Sequence, residues 1–218
     1  KADLKIDWAT HEAAKYACTT WHYSGCLPIG KLVKVGVWEK GKFIGVVLFS
    51  RGTARHLGAK FGLKQPECVE LTRVALTDHE NPVSRILSIA LKFLKASNSG
   101  IRLVVSFAAS AENHHGGIYQ ATNWIYDGIS KGNKEVVYKG KRLTNRAFSQ
   151  MTTKSKYSMK EWIDNKWVTG VRENPKHRYL MPLDKEMAAQ IAPLSKQYPK
   201  REKQAMGVPT PQRRGSTD

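Results

Sequence analysis

Two stretches of the chain concentrate side chains able to hold or move protons. One is His22-Tyr23-Ser24, flanked by Trp21 and Gly25; the other runs from Ser106 through His114 and His115 to Tyr119. Histidine titrates near neutral pH and serves as base, acid or metal ligand, and serine and tyrosine hydroxyls donate or relay protons. His114 and His115 are adjacent, so their side chains diverge and make poor co-ligands of one ion; they read equally well as loop caps. Tyr119 and Asn123 are four residues apart, the spacing that puts two side chains on one helix face. That face offers an amide for a base edge and a ring for stacking. The plainer reading makes Tyr119 and Trp124 core aromatics.

These groups need a scaffold, and the apolar pattern supplies one. Residues Trp8 to Thr20 read as a helix capped by Thr10. Val33 to Glu39 and Phe43 to Ser50 alternate and, joined by Lys40-Gly41-Lys42, form a hairpin. Val69 to Leu76 is a third strand. Asn81-Pro82-Val83-Ser84 opens a helix with proline at an early position, and Ile86, Leu87, Ala90, Leu91 and Leu94 form its buried stripe. Ile101 to Phe107 is apolar enough for the middle of a sheet. A short helix at 116–124, strands at 124–127 and 134–138, loops around a short helix at 139–160, a helix at 159–167 and a strand at 177–183 complete the order. The pattern predicts an α+β fold, with a single mixed, mostly antiparallel sheet flanked by helices. It resembles the acyltransferase fold of the Gcn5-related N-acetyltransferases, although element order is shared by several folds. Residues 1–192 read as one folded unit and 193–218, rich in Pro, Lys, Arg, Gln and Gly, as a basic tail.

The charge balance points to a polyanionic partner. Lys and Arg number 36 against 18 Asp and Glu, a net charge of +18, which suits contact with nucleic acid. Arg142, Arg146, Lys154 and Lys156 are followed by Tyr157, Trp162 and Trp167, a mixture fitted to backbone contact with base stacking and also to an ordinary solvated surface. No apolar run approaches the ~20 residues of a membrane span, and the expected compartment is cytoplasmic. Cys18, Cys26 and Cys68 are odd in number and widely spaced, against a disulfide framework or closed zinc site.

Two further positions could hold an anionic donor. Arg73 is a lone cation in an apolar strand, where it needs a phosphate or carboxylate, or a structural partner such as Glu70 or Asp78. Ser84 and Arg85 lie in the first turn of a helix, whose free N–H groups attract anions; Ser84 reads equally well as a cap. In the acyltransferase fold a glycine-rich turn at this point holds the coenzyme A pyrophosphate. Asn81-Pro82-Val83-Ser84-Arg85-Ile86 has no glycine, so the backbone cannot come as close.

Val104-Val105-Ser106-Phe107-Ala108-Ala109 and His114-His115-Gly116-Gly117-Ile118-Tyr119-Gln120-Ala121-Thr122-Asn123-Trp124, together with His22-Tyr23-Ser24 and Leu71-Thr72-Arg73-Val74, resemble the phage Mom family. The resemblance covers residues 20 to 130. It implies conversion of adenine in double-stranded DNA to N6-carbamoylmethyladenine, which protects phage DNA from restriction. It adds weight to His22, Tyr23, Arg73, Ser106, His114, His115 and Tyr119 as functional residues. An acidic residue often stands in the family where this chain has Ala109. Alanine can neither move a proton nor ligate a metal, so either this homologue works without that carboxylate or the chain is an inactivated variant.

The implied product constrains the donor. It carries –CH2–C(O)–NH2 on nitrogen, and an acetyl group lacks the second nitrogen and the right oxidation level. A glycyl group carries every atom. Adenine N6 attacks an activated glycyl ester; the glycyl amine then attacks C6 through a five-membered ring and expels the original nitrogen as the amide. Glycyl-tRNA is the expected donor, with tRNA a second nucleic-acid partner. The alternatives are acetyl-coenzyme A assisted by iron, with His22 and Tyr23 as ligands, an ordinary N-acetyltransferase, and a nucleic-acid-binding protein without catalysis. Oligomeric state is left open.

Overall fold

The computed structural model describes residues 3–51, 57–109 and 115–200. Eight strands form one sheet: β1 (Leu4–Trp8), β2 (Leu32–Glu39), β3 (Lys42–Ser50), β4 (Cys68–Leu76), β5 (Leu103–Ala109), β6 (Ile125–Tyr138), β7 (Lys141–Thr144) and β8 (Thr169–Pro182), in the spatial order β1-β2-β3-β4-β5-β8-β6-β7. Every pairing is antiparallel except β4 with β5. The crossover between those two strands is helix α2 (Val83–Ser97), as a parallel pair requires. The expected mixed, mostly antiparallel sheet flanked by helices is therefore present.

The helices cover both faces. The stripe Ile86, Leu87, Ala90, Leu91 and Leu94 of α2 packs in one cluster with Val35, Val47, Phe49 and Val104. Burying each large aliphatic side chain there contributes about 1.5–3 kcal/mol. On the other face Ala14, Ala17 and Cys18 of α1 (His11–Thr20) meet Val46, Leu48 and Ala75, and Met187 and Ile191 of α6 (Lys185–Ile191) meet Leu103, Val105 and Leu180. Two short helices, α4 (Asn145–Thr153) and α5 (Met159–Asp164), close a smaller cluster of Val136, Phe148 and Val168 at the far end of β6.

Four expectations change. The first helix starts at His11, with Thr10 Oγ accepting from Ala13 N at 3.1 Å. Leu4, Ile6 and Trp8 alternate ahead of it as an edge strand on β2. The strands expected at 124–127 and 134–138 are one strand, β6, with register shifts at Tyr126/Gly128 and Ser130/Asn133. Its partner β8 begins at Thr169, not His177, and β7 takes part of the loop expected at 139–160, whose expected short helix is α4. The bulge at Asp127 turns a carboxylate inward to meet Lys60 Nζ at 2.7 Å and Arg178 Nη2 at 2.5 Å.

Beyond α6 the chain turns back over the sheet. Lys196 N donates to Tyr126 O at 2.9 Å, Tyr198 Oη to Trp124 O at 2.7 Å, and Gln120 Nε2 to Pro199 O at 3.3 Å. Among the described residues no helix is long and apolar enough to cross a membrane.

Candidate active site

The parallel pair provides an opening. β4 and β5 run in register from Cys68/Leu103 to Leu71/Ser106 and then part, β4 continuing along β3 and β5 along β8. At the last shared pair the buried Ser106 Oγ lies 2.9 Å from Leu71 O and 2.8 Å from Tyr119 Oη. A carbonyl can only accept, so the serine proton goes to Leu71 and the Tyr119 phenol donates to Ser106. Tyr119 belongs to α3 (Gly117–Gln120), which follows Gly116 in a left-handed conformation. Burial pushes its hydroxyl up to about 12, with Tyr23, Tyr179 and Glu70 adding to the rise. The phenol is thus a proton donor near neutral pH, and Tyr23 is brought into its electrostatic range.

A row of rings continues from Tyr119 along the same face. Tyr119 and Tyr179 have centroids 4.9 Å apart, Tyr179 and Tyr126 5.2 Å, and Tyr126 and His177 5.6 Å. Tyr126 Oη and His177 Nδ1 are hydrogen-bonded at 2.8 Å. Desolvation and the neighbouring His115 hold the His177 imidazole below its usual range. The His115 carbonyl accepts from Tyr179 Oη at 2.5 Å and from Gln120 Nε2 at 3.0 Å, which anchors the segment entering α3. Ser106 and Tyr119 therefore come together, with the His115 carbonyl anchored on the neighbouring Tyr179.

The other expected residues are placed as follows. His22 Nδ1 accepts from Ser24 N at 3.1 Å and lies 2.8 Å from Ser24 Oγ, its ring 4.3 Å from that of Tyr23. His114 lies outside the described residues. Ala109 is the last residue of β5, opposite Lys176 of β8. Arg73 pairs in register with Leu48, which packs against α1; burial raises the Cys18 thiol there and the Arg73 charge only partly opposes it. Its Nη1 donates to Thr72 O at 3.0 Å, and its buried Nε has no hydrogen-bond partner. Asn123 is exposed and stands past the end of α3 at φ 58°, so it shares no helix face with Tyr119: the helix stops three residues earlier, at Gln120. Lys154 and Lys156 are exposed between α4 and α5; Arg142 lies on β7 and Arg146 on α4. Among the described residues no three or more His, Cys, Asp or Glu side chains are grouped to hold a metal.

The turn before α2 fails as a pyrophosphate cradle. Its N-cap is Pro82, with no side-chain cap, so Ser84 is not the cap. The buried Glu39 carboxylate of β2 takes the amides of Glu80 and Asn81, both at 2.8 Å, and Asn81 Nδ2 at 2.6 Å. Arg85 Nη1 donates to Asn81 Oδ1 at 2.5 Å. Pro82 has no N–H. An internal carboxylate thus takes the Glu80 and Asn81 amides just before the helix and puts its own negative charge there.

The amide of Glu80, helped by those of Asn81, holds the Glu39 carboxyl below its ordinary range. A depressed folded-state value contributes stability above the unfolded carboxylate range and loses it as pH falls through the folded one. Glu39→Gln is expected to melt several degrees below the parent chain at pH 7, with the gap closing under acid; melting followed by circular dichroism from pH 7 to pH 3 checks it.

His177, Tyr126, Tyr179 and Gln120 were missed by sequence reasoning. Along the chain His177 and Tyr179 are only alternate residues of a strand; their neighbours come from β5, β6 and α3.

A mostly antiparallel sheet opened at one parallel strand pair, with hydroxyl and imidazole groups at the opening, is the architecture of an acyltransferase-fold protein. The Mom protein family matches residues 3–200, so the chain belongs to the Mom family, a family of phage DNA-modification proteins. No curated protein matches its sequence. Similar solved structures include a protein assigned as a phosphinothricin N-acetyltransferase, 12% identical at a TM-score of 0.48 over 84% of this chain and 100% of that one. The aminoglycoside acetyltransferase AAC(6')-Ib in complex with coenzyme A is 8% identical at 0.46, over 87% and 99%. FeeM, an N-acyl amino acid synthase from uncultured soil microbes, is 12% identical at 0.43, over 88% and 96%. At these scores no residue role follows from the likeness.

Proposed function

We propose that the chain converts adenine in double-stranded DNA to N6-carbamoylmethyladenine by taking a glycyl group from glycyl-tRNA. Family membership supports DNA modification, and the observation that carries the donor assignment is the closed turn before α2. With Glu39 on the Glu80 and Asn81 amides, a coenzyme A pyrophosphate at this turn would meet a carboxylate's negative charge, which disfavours the acetyl-coenzyme A alternative. An aminoacyl ester on a tRNA 3′ end needs no such cradle.

In this reading adenine is flipped out of the duplex, at a cost of a few kcal/mol, and its N6 enters the opening between β4 and β5. The N6–C bond to the glycyl carbonyl forms, the ester C–O bond breaks, and the ribose oxygen leaves as an alcohol. Tyr119, still protonated at neutral pH, supplies that oxygen's proton, and Ser106 orients the phenol. His22, Tyr23 and His115 border the reacting groups, and position 109 lies at the end of β5 beside them. Arg73 serves the donor; Asn123, Arg142, Arg146, Lys154 and Lys156 follow the nucleic acid. Both substrates occur in the cytoplasm of an infected host, and protection from restriction is the expected consequence.

Nucleoside mass spectrometry tests the reading. Plasmid DNA from cells expressing the chain, or its Ala109→Asp variant, is expected to contain a carbamoylmethyl adduct of deoxyadenosine. An adduct only from Ala109→Asp identifies position 109 as catalytic and the present chain as inactivated. Neither producing one, with both proteins folded, removes the proposed reaction.

A further inference from the structure

The reaction leaves one proton without a destination. When N6 bonds to the carbonyl carbon, the nitrogen must lose a hydrogen, and Tyr119 is already a donor. The acceptor should stand at the open end of the strand pair, be partly accessible, and be fixed in orientation.

We propose that His177 is this acceptor, with Tyr126 as its positioning residue. The register locates it: Ser106, where β4 and β5 part, is opposite Tyr179, and two residues further into the open part Ala108 is opposite His177. His177 is only partly buried and stands at the end of the ring row that starts at Tyr119. The 2.8 Å contact between Nδ1 and Tyr126 Oη fixes the ring; in the tautomer the proposal requires, Nδ1–H donates to that oxygen and Nε2 keeps its lone pair for the substrate. The titratable groups around it are Tyr126 on β6, His115 before α3, and Lys176 and Arg178 on its own strand. Burial first, and then the neighbouring His115, favour an uncharged imidazole in the resting protein. The proton passes from N6 to Nε2; once the ribose alcohol has left with the Tyr119 proton, the imidazolium gives its proton to solvent and the Tyr119 phenolate, whose hydroxyl lies at about 12, takes one back from solvent.

The inference rests on the proposed glycyl transfer, and the test separates the two. Purified chain, or the Ala109→Asp variant if only that is active, is mixed with adenine-containing DNA and glycyl-tRNA, and adducts are measured by mass spectrometry against pH. His177→Gln, which keeps a polar side chain but cannot accept a proton, is expected to lower the rate about a hundredfold or more and to abolish the imidazole limb of the pH profile. Imidazole in the buffer should restore part of the activity of His177→Ala. Tyr126→Phe, which loosens the ring without removing the base, should cost less than His177→Gln. An unchanged rate in His177→Gln, or a loss that leaves the pH profile intact and is not rescued by imidazole, overturns the assignment while the transfer stands. No adduct from the parent or from Ala109→Asp overturns both.

Discussion

Tyr119→Phe is expected to lower adduct formation by about a hundredfold to ten-thousandfold in whichever of the chain and its Ala109→Asp variant is active, with little change in stability. The phenol donates to Ser106 Oγ at 2.8 Å, and Ser106 keeps its own acceptor, Leu71 O, at 2.9 Å. Removing the phenol oxygen therefore strands no donor, and the lost hydrogen bond is worth about 1 kcal/mol. The ring, which fills space beside Trp124 and Tyr179, stays. Ser106→Ala makes the informative comparison. It leaves the buried phenol and the Leu71 carbonyl without their partner, at about 1–3 kcal/mol, yet keeps the proton on Tyr119. If the phenol acts chemically, Tyr119→Phe is the more stable and less active of the two. If the pair only ties β4, β5 and α3 together, activity will follow stability in both, and the proton-donor role fails. Urea midpoints measured beside the adduct assay decide between these outcomes.

The elements legible in the sequence were those whose own residues carry the signal. The β2–β3 hairpin shows because its strands alternate about a short Lys-Gly turn, and α2 because five apolar residues recur at helical spacing. Leu4, Ile6 and Trp8 alternate as well, but over too short a span to stand apart from the helix that Thr10 caps. β6 and the first half of β8 pair beyond the main core, where Gly128, Ser130, Lys176 and Asn174 give no apolar alternation; pairing with each other holds them extended. The site divides in the same way. Ser106, His115 and Tyr119 were accessible because a strand, loop and helix follow one another closely. Glu39 meets Asn81 across 42 residues and His177 meets Tyr126 across 51. Such contacts depend on sheet order and on which face each strand turns inward, neither of which local spacing reveals. Asn123 failed for the opposite reason: a four-residue spacing identifies a shared face only if the helix continues, and this one is a single turn.

Gly116→Ala is expected to have a large effect although it removes no reacting group. Gly116 has φ 78°, and an added Cβ would lie 2.4 Å from Tyr179 Cε2, 2.5 Å from Cζ and 2.7 Å from Oη. The left-handed backbone costs an L-residue about 1–2 kcal/mol, and crowding a packed ring adds about 1–3 kcal/mol. Tyr179 is fully buried between Tyr119 and Tyr126, so it cannot yield without moving them. Its hydroxyl also holds the His115 carbonyl at 2.5 Å, so the segment leading into α3 should loosen as the ring shifts. A fall in melting temperature on the order of 10 °C is expected for a chain of this size. Gly117→Ala, one residue on, should behave differently. Gly117 is the first residue of α3, and its added Cβ would meet only the end of the His115 side chain, at 3.3 Å; exchanging glycine for alanine in a helix is otherwise neutral to stabilising. Thermal melts of the two variants provide the check. Equal shifts would mean that the contact between Gly116 and Tyr179 does not organise this end of the sheet; a large loss at 116 alone would show that the site depends on a glycine chosen for the ring it lies against.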